Sequence, residues 1–324
     1  MKPTGSKTIE RPAQGTPAVP PKFFALIPAN PGIDFVKLSP RMAMLSCALI
    51  LLGFVSMFLR GGLNYGIDFM GGTLLDVRFA KPISVADVRA ALDRPDLRSV
   101  SVQEVGTGGS EFQINGRSAG EETGATVVAL KAGLSTRFGE SSYEVVRMES
   151  VGPKVGQDLW RDATLAVLAA TVIMGIYIAV RFDLPVGVGA AVKLVHDVLI
   201  TLGALSLANM EFDLTAVAAL LTVVGFSVND NVIISDRIRE SRRKNRRETL
   251  PVLINQSINE TLSRTVINSG TVVLTTAALF LLGGEVIHSF AFALLVGFVI
   301  GTYSSIFVST PIVLYLEARR RRVK

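Results

Sequence analysis

Six apolar runs dominate the pattern of hydrophobic and polar positions. The first, Met42 to Leu59, is just long enough, at about 1.5 Å per helical residue, to cross roughly 30 Å of hydrocarbon. A stretch of ordinary soluble composition, 60–162, follows. Apolar character then returns and persists almost to the C-terminus, dividing into spans near 163–180, 185–207, 214–234, 262–282 and 287–315. The pattern predicts a polytopic α-helical membrane protein with one inserted domain between its first and second spans.

Within that domain the period changes. Thr73 to Phe79 alternates apolar and polar residues, as a half-buried strand does. Ser84 reads as a helix cap, with Val85, Val88, Ala91 and Leu92 on one face. Val100–Val105 and Glu111–Asn115 flank the glycine-rich turn Gly106 to Gly109, a hairpin signal. A helix over Thr123–Arg137 and a strand over Tyr143–Val151 complete a βαββαβ order, which matches a ferredoxin-like α+β unit. The domain is nearly neutral and shows no catalytic constellation.

Composition supports the membrane class: 49% of 324 residues are hydrophobic and 19% charged, with a mean hydropathy of +0.45. The net charge of +6 matters through its placement rather than as a nucleic-acid footprint, and no nucleic-acid partner is expected. The single cysteine, Cys47, forbids an intrachain disulfide, and one cysteine with two histidines argues against a zinc site. No phosphate-binding glycine loop and no nucleophile elbow occurs in the sequence. The chain therefore reads as a non-enzyme with no metal and no cofactor, drawing its energy from elsewhere.

Basic residues give an orientation. Residues 1–41 carry Lys2, Lys7, Arg11, Lys22, Lys37 and Arg41 without an early apolar core, which reads as a tail rather than a cleavable signal peptide. Phe23–Pro28 and Ile33–Leu38 read as sticky stretches of a disordered tail, with membrane-surface segments as the alternative, and the first span reads as a retained anchor. A basic loop over 235–261 and the tail 317–324 are rich in arginine, whereas the connections near 208–213 and 283–286 carry no Lys or Arg. By the positive-inside rule both termini are cytoplasmic and the 60–162 domain is external.

Ionisable groups inside a span cost roughly 2.5–3.5 kcal/mol each on insertion scales, so they face a bundle interior and mark pathways. Asp230, beside Asn229 in the fourth span, stands out. Arg264 opens the fifth span at similar depth, and Arg264, Asn268, Thr271 and Thr275 follow one helical face, expected to line the interior. Low dielectric penalises a carboxylate's charge while a nearby guanidinium favours it, so such a pair can bind and release a proton. A static ion pair, or Arg264 snorkelling to the interface, is the alternative. In the third span Lys193 and Asp197, spaced i and i+4, either neutralise each other or join a relay with His196. Gly187, Gly189, Ala190 and Ala191, and later Gly297 and Gly301, allow close helix approach. Glu285 and His288 read as solvated loop residues.

Five strings carry a resemblance. They are Gly66 to Thr73, containing Asp68, Gly71 and Gly72; Val151 to Gly156, containing Gly152 and Pro153; Ala191 to Asp197, ending His196-Asp197; Phe226 to Asp230, followed by Ser235 to Glu240; and Asn259 to Thr265. From about residue 30 to 316 the chain resembles the SecF family of the SecD/SecF export proteins, in the RND superfamily. The resemblance implies a bacterial inner-membrane subunit that works with SecD and the SecYEG translocon, with YajC as a further candidate partner. Its action would be on a translocating preprotein, driven by the proton motive force after the ATP-driven step. It also implies proton coupling at Asp230 with Arg264 as partner, and a small or apolar residue at position 193, from which Lys193 departs. Independently, six spans with one external domain look like half of a transporter built from two related halves. A small-molecule efflux pump or a membrane scaffold are the competing readings. A scaffold would tolerate neutral replacement of Asp230, and an efflux pump would change drug sensitivity without touching secretion.

Overall fold

In the computed structural model, residues 31–105, 108–118 and 123–323 are described. The tail segment Phe23–Pro28, and Gly106 of the expected hairpin turn, lie outside the described residues. Among the described residues, six helices are long and apolar enough to cross a membrane. They are α1 (Phe35–Arg60), followed after the inserted domain by α5 (Pro153–Arg181), α6 (Leu184–Ala208), α7 (Leu214–Lys244), α8 (Leu250–Leu282) and a last helix running from His288 to Arg320.

The last of these comprises α9 (His288–Ser304), a π-helical turn at Ser305–Ser309, and α10 (Thr310–Val323). Between α1 and α5 lie β1 (Asn64–Tyr65), α2 (Ile67–Met70), β2 (Gly72–Phe79), α3 (Val85–Ala91), β3 (Leu97–Val105), β4 (Glu111–Ser118), α4 (Thr123–Phe138) and β5 (Tyr143–Val151). A short β6 (Glu211–Phe212) precedes α7.

Every membrane helix except α6 extends well past its apolar run, because a helix needs hydrocarbon only for its middle and its backbone stays satisfied in water. The expected basic loop 235–261 is consequently helical except at 245–249, where α7 ends and α8 begins. The second span's helix likewise starts inside the expected external domain, with Pro153 at its first turn, where a missing N–H costs nothing. At the other end, α1 takes in Lys37, Pro40 and Arg41, which interrupt the apolar run in the sequence. The residues before it are held by α8: Asn259 brackets the backbone of Ile33, and Asn255 Oδ1 accepts from Phe35 N at 2.8 Å.

The inserted domain is a four-stranded antiparallel sheet in the order β3-β4-β2-β5. The inward residues of β2 and β4, including Leu75, Val77, Phe112 and Ile114, pack against Val88 of α3 and Leu130 and Leu134 of α4. Burying side chains of this size contributes about 1.5–3 kcal/mol each.

Its base is tied to the helices at one place. β1 pairs in parallel with β6, and Asp68 Oδ2 accepts from Leu214 N at the start of α7, at 2.9 Å. Gly71 (φ 68°) and Gly72 (φ 133°) turn the chain from α2 into β2, and a Cβ on Gly71 would lie 2.9 Å from Pro153 Cα. Glycine is required there by conformation and by the close approach. Tyr65, Phe69, Trp160 and Phe212 pack their rings across this junction, with Tyr65 and Trp160 edge-on at 5.2 Å. The string from Gly66 to Thr73 and the Gly152-Pro153 pair are thus the two sides of a single joint.

Glycines also set the helix contacts. Gly53 of α1 crosses Gly203 of α6 so closely that a Cβ on the former would lie 2.7 Å from the other's Cα. Gly301 of α9 faces Ser227 of α7, and Gly189 of α6 faces Ser309 of the π-helical turn. Such approaches bring polar side chains of different helices within hydrogen-bond reach in the bundle.

Candidate functional site

Asp230 sits on the buried face of α7 and is 1% exposed. Its Oδ2 accepts from Ser269 Oγ of α8 at 3.1 Å and lies 3.4 Å from Thr302 Oγ1 of α9, whose one proton is shared with Phe298 O at 3.0 Å. Its Oδ1 has no hydrogen-bond partner among the described residues. One oxygen is held by two helices, and the other is an acceptor free to take a proton. Thr265, one turn before Ser269 on α8, is also buried, with an unpartnered hydroxyl.

Arg264 does not join this site. It is exposed, lining a cavity of about 510 Å³ with Arg181, Asp236, Arg237, Glu240 and Glu260. The inward stripe of α8 is Thr261, Thr265, Ser269 and Thr276, and Arg264 lies one residue out of that register, about 100° around the helix. The expected interior stripe accordingly faces out of the chain. Thr271 and Thr275 are exposed and Asn268 half-buried, with the threonine hydroxyls donating to carbonyls of their own helix. Asn229 is exposed as well. The inward asparagine is its neighbour's neighbour, Asn231, whose Oδ1 accepts from Ser309 Oγ at 2.7 Å. His288 opens α9 with its ring 4.1 Å from that of Phe280, so it packs rather than standing free in solvent.

A second buried polar system surrounds Lys193. Its Nζ is 3.4 Å from Asp197 Oδ2 and donates to Ser227 O at 2.7 Å, with Ser227 Oγ also in contact. Ser227 Oγ donates to Asp197 Oδ2 at 2.5 Å. From Asp197 the chain of contacts continues through His196 Nδ1 (3.0 Å), then His196 Nε2 to Ser46 Oγ (2.9 Å), and on to Tyr303 OH (3.0 Å). The tyrosine hydroxyl donates to Met42 O at 2.6 Å. Lys193 and Asp197 lie within ion-pair distance, as their i and i+4 spacing allows, and the same lysine lies within electrostatic reach of Asp230. The linkage joins α1, α6, α7 and α9. Ser46, Ser227 and Tyr303 could not be assigned to it from spacing, because each comes from a different helix.

At the joint beneath the inserted domain, burial pushes the Glu211 carboxyl up to about 7, reinforced by the charges of Asp213 and Asp68. Its folded value lies above the ordinary 4.5. The folded state therefore binds the proton more tightly than the unfolded chain, and stability conferred by the protonated form is lost as pH rises towards about 7. Glu211→Gln is expected to flatten this dependence and to raise the thermal midpoint near neutral pH. Unchanged pH dependence of the melting curve in the variant would refute the assignment.

These features define a multi-pass membrane protein with a buried carboxylate and an inserted α+β domain jointed to its helices. Residues 131–319 match the family described as Protein export membrane protein SecD/SecF, C-terminal. Residues 55–83 match the SecD/SecF GG Motif.

Among relatives, the chain is 41% identical over 301 residues to protein translocase subunit SecF of Gemmatimonas aurantiaca, covering 91% of this chain and 90% of that one. It is 46% identical over 292 residues to the subunit of the same name from Magnetococcus marinus, with 89% and 93% covered. The crystal structure of SecDF, a translocon-associated membrane protein from Thermus thermophilus, superimposes with a TM-score of 0.79 at 35% identity. That match covers 90% of this chain but 40% of the longer SecDF chain. The chain belongs to the SecD/SecF family of protein-export membrane proteins, on its SecF side.

Proposed function

We propose that the chain is a subunit of the Sec protein translocase that works with a SecD half to couple the proton motive force to the completion of preprotein translocation. The carrying observation is Asp230, a buried carboxylate with one oxygen fixed by α8 and α9 and the other unpartnered. Taking up or releasing a proton there changes what α7 gains from its neighbours. The N-terminus of α7 is hydrogen-bonded to Asp68 in the joint of the inserted domain, so a shift of α7 is passed to that domain.

The remaining assignments follow from charge and exposure. The arginine-rich end of α7 and the basic tail support an orientation with both termini in the cytoplasm, the 60–162 domain outside and the five-helix region 163–316 in the bacterial inner membrane. The strand order and two covering helices of that domain support a ferredoxin-like unit. Asn229, Arg264, Thr271 and Thr275 are exposed on helices meant for lipid, and a polar face of this kind needs a covering partner. A SecD half supplies one, and we assign Arg264 and Asn229 to proton passage at that junction, with Asn268 and Thr271 beside them and His196 and Asp197 as the interior support. SecYEG delivers the preprotein, and YajC is a further partner.

One proton crossing 100 mV releases about 2.3 kcal/mol, enough to bias a two-state domain and too little to drag a polypeptide far, so many cycles serve one preprotein. Purification of the intact complex tests the assignment. A SecD-like partner should accompany the chain, and depletion of the chain should slow proton-dependent export. A complex lacking any such partner, with export unimpaired after depletion, would overturn it.

A further inference from the structure

At the arginine-bearing end of the bundle a cavity of about 560 Å³ opens between the start of α6, the last turns of α7, the start of α8 and α10. Arg239, Arg242, Arg243, Arg246 and Arg320 line it, against only Asp183 and Glu317. Glu317 is already engaged by Arg242 at 3.1 Å. Arg239, Arg243, Arg246 and Arg320 have no ion-pair partner among the described residues and are exposed at the mouth. Like charges so close repel, and an anion seated among them relieves that cost.

The inner end is different. Asn231, 3% exposed, lines the cavity together with Ser309. Its Oδ1 is satisfied by Ser309, whereas its Nδ2 has no partner among the described residues. A buried N–H left unmade costs about 1–3 kcal/mol, so this donor calls for an acceptor from outside the chain. The rest of the lining is mainly apolar, with Val186, Ile234, Ile238, Leu250 and Val313 beside the hydroxyls of Ser235 and Thr310. The cavity therefore offers cations, an aliphatic wall and, beside the lining hydroxyls, a buried neutral donor without a partner among the described residues. A hydrated proton or a metal cation would be repelled at the mouth, and a small inorganic anion would leave the wall and Asn231 unused.

We propose that this cavity is a binding site for an anionic phospholipid, its phosphate held by the unpaired arginines, an ester carbonyl accepting from Asn231 Nδ2 and acyl carbons lying along the apolar wall. Arg239 is about 12 Å from Asn231 along the axis of α7, a span that a glycerophosphate with its esters fills when the arginine's own reach is included. Basic pockets between membrane helices bind lipid headgroups through the same pairing. The inference is independent of proton coupling: it concerns occupancy, measured without export.

The test uses the full-length chain in the complex with which it purifies, placed in nanodiscs of phosphatidylcholine with increasing phosphatidylglycerol. Bound lipid is counted by native mass spectrometry and the thermal midpoint recorded, with inorganic phosphate in phosphatidylcholine discs as a parallel arm. Phosphatidylglycerol should be retained and should raise the midpoint, whereas inorganic phosphate should not. Each arginine near an anionic headgroup contributes about a fivefold factor, so R239Q/R243Q should weaken retention about 25-fold. N231L should weaken it severalfold, and R239K/R243K should stay near the native value.

Equal retention by the native and R239Q/R243Q proteins would overturn the proposal, as would stabilisation by inorganic phosphate equal to that by the lipid, which would mark a soluble-anion site. Should R239Q/R243Q fail to assemble, N231L decides: unchanged retention in it refutes the site.

Discussion

Replacing Asp230 with asparagine is expected to reduce export driven by the proton motive force to the level seen with an uncoupler, while membrane insertion and complex assembly stay intact. Asparagine keeps the shape of the side chain. Its carbonyl oxygen can take the place of Oδ2 and accept from Ser269 and Thr302. The amide nitrogen replaces Oδ1, which makes no hydrogen bond among the described residues, so no existing bond is lost. The amide brings buried N–H donors that cost about 1–3 kcal/mol if left unmade. The functional change is loss of the ability to gain and lose a proton, and general acid–base groups of this type carry about 100-fold or more of the rate they support. Asp230→Glu should restore part of the activity, because it titrates but displaces the carboxylate by a methylene. The decisive measurement is completion of translocation in inverted membrane vesicles with ATP supplied and the gradient switched on or off. Full gradient dependence in Asp230→Asn would sink the coupling role and leave Asp230 as a packing residue.

The helices are legible in the sequence because a bilayer demands long apolar runs, and the six runs coincide with the six long helices. Their ends are not legible. Hydropathy marks where hydrocarbon begins, whereas the helices of 235–244 and 250–261 continue into water on the strength of backbone hydrogen bonds and packing. The same limit applies to faces. Periodicity puts Arg264, Asn268, Thr271 and Thr275 on one side of α8, but a polar side can turn towards its own bundle or towards a second subunit. The pattern along one helix carries no information on which. Here Ser269 and Thr265 turn inward and the arginine stripe turns out. Asp230 was readable as buried and polar because its cost in an apolar run is large. Its partners were not, since Ser269 and Thr302 are ordinary residues whose importance comes from the crossing of three helices.

The largest effect on stability is expected at Lys193. Its ammonium is fully buried and sits against Asp197, Ser227 and, at longer range, Asp230. Lys193→Met keeps most of the volume and removes the charge, which leaves the Asp197 carboxyl in an apolar interior without its cationic partner. Breaking a buried pair from one side costs about 3–5 kcal/mol, whereas replacing both partners with neutral groups is often close to neutral. The double variant Lys193→Met/Asp197→Asn should therefore recover most of the loss, because the asparagine can still accept from Ser227 and bond His196. Denaturant midpoints of the purified protein in mild detergent measure Lys193→Met, Asp197→Asn and the double variant, and the cycle isolates the coupling between the two residues. Strictly additive losses, or a single-site cost below about 1 kcal/mol, would show that the lysine is not the counter-charge of Asp197. A recovered double variant that folds yet exports poorly would carry the point further. It would mean that Lys193 holds the charge balance around Asp230 as well as the fold, through Ser227 on the same helix as that aspartate.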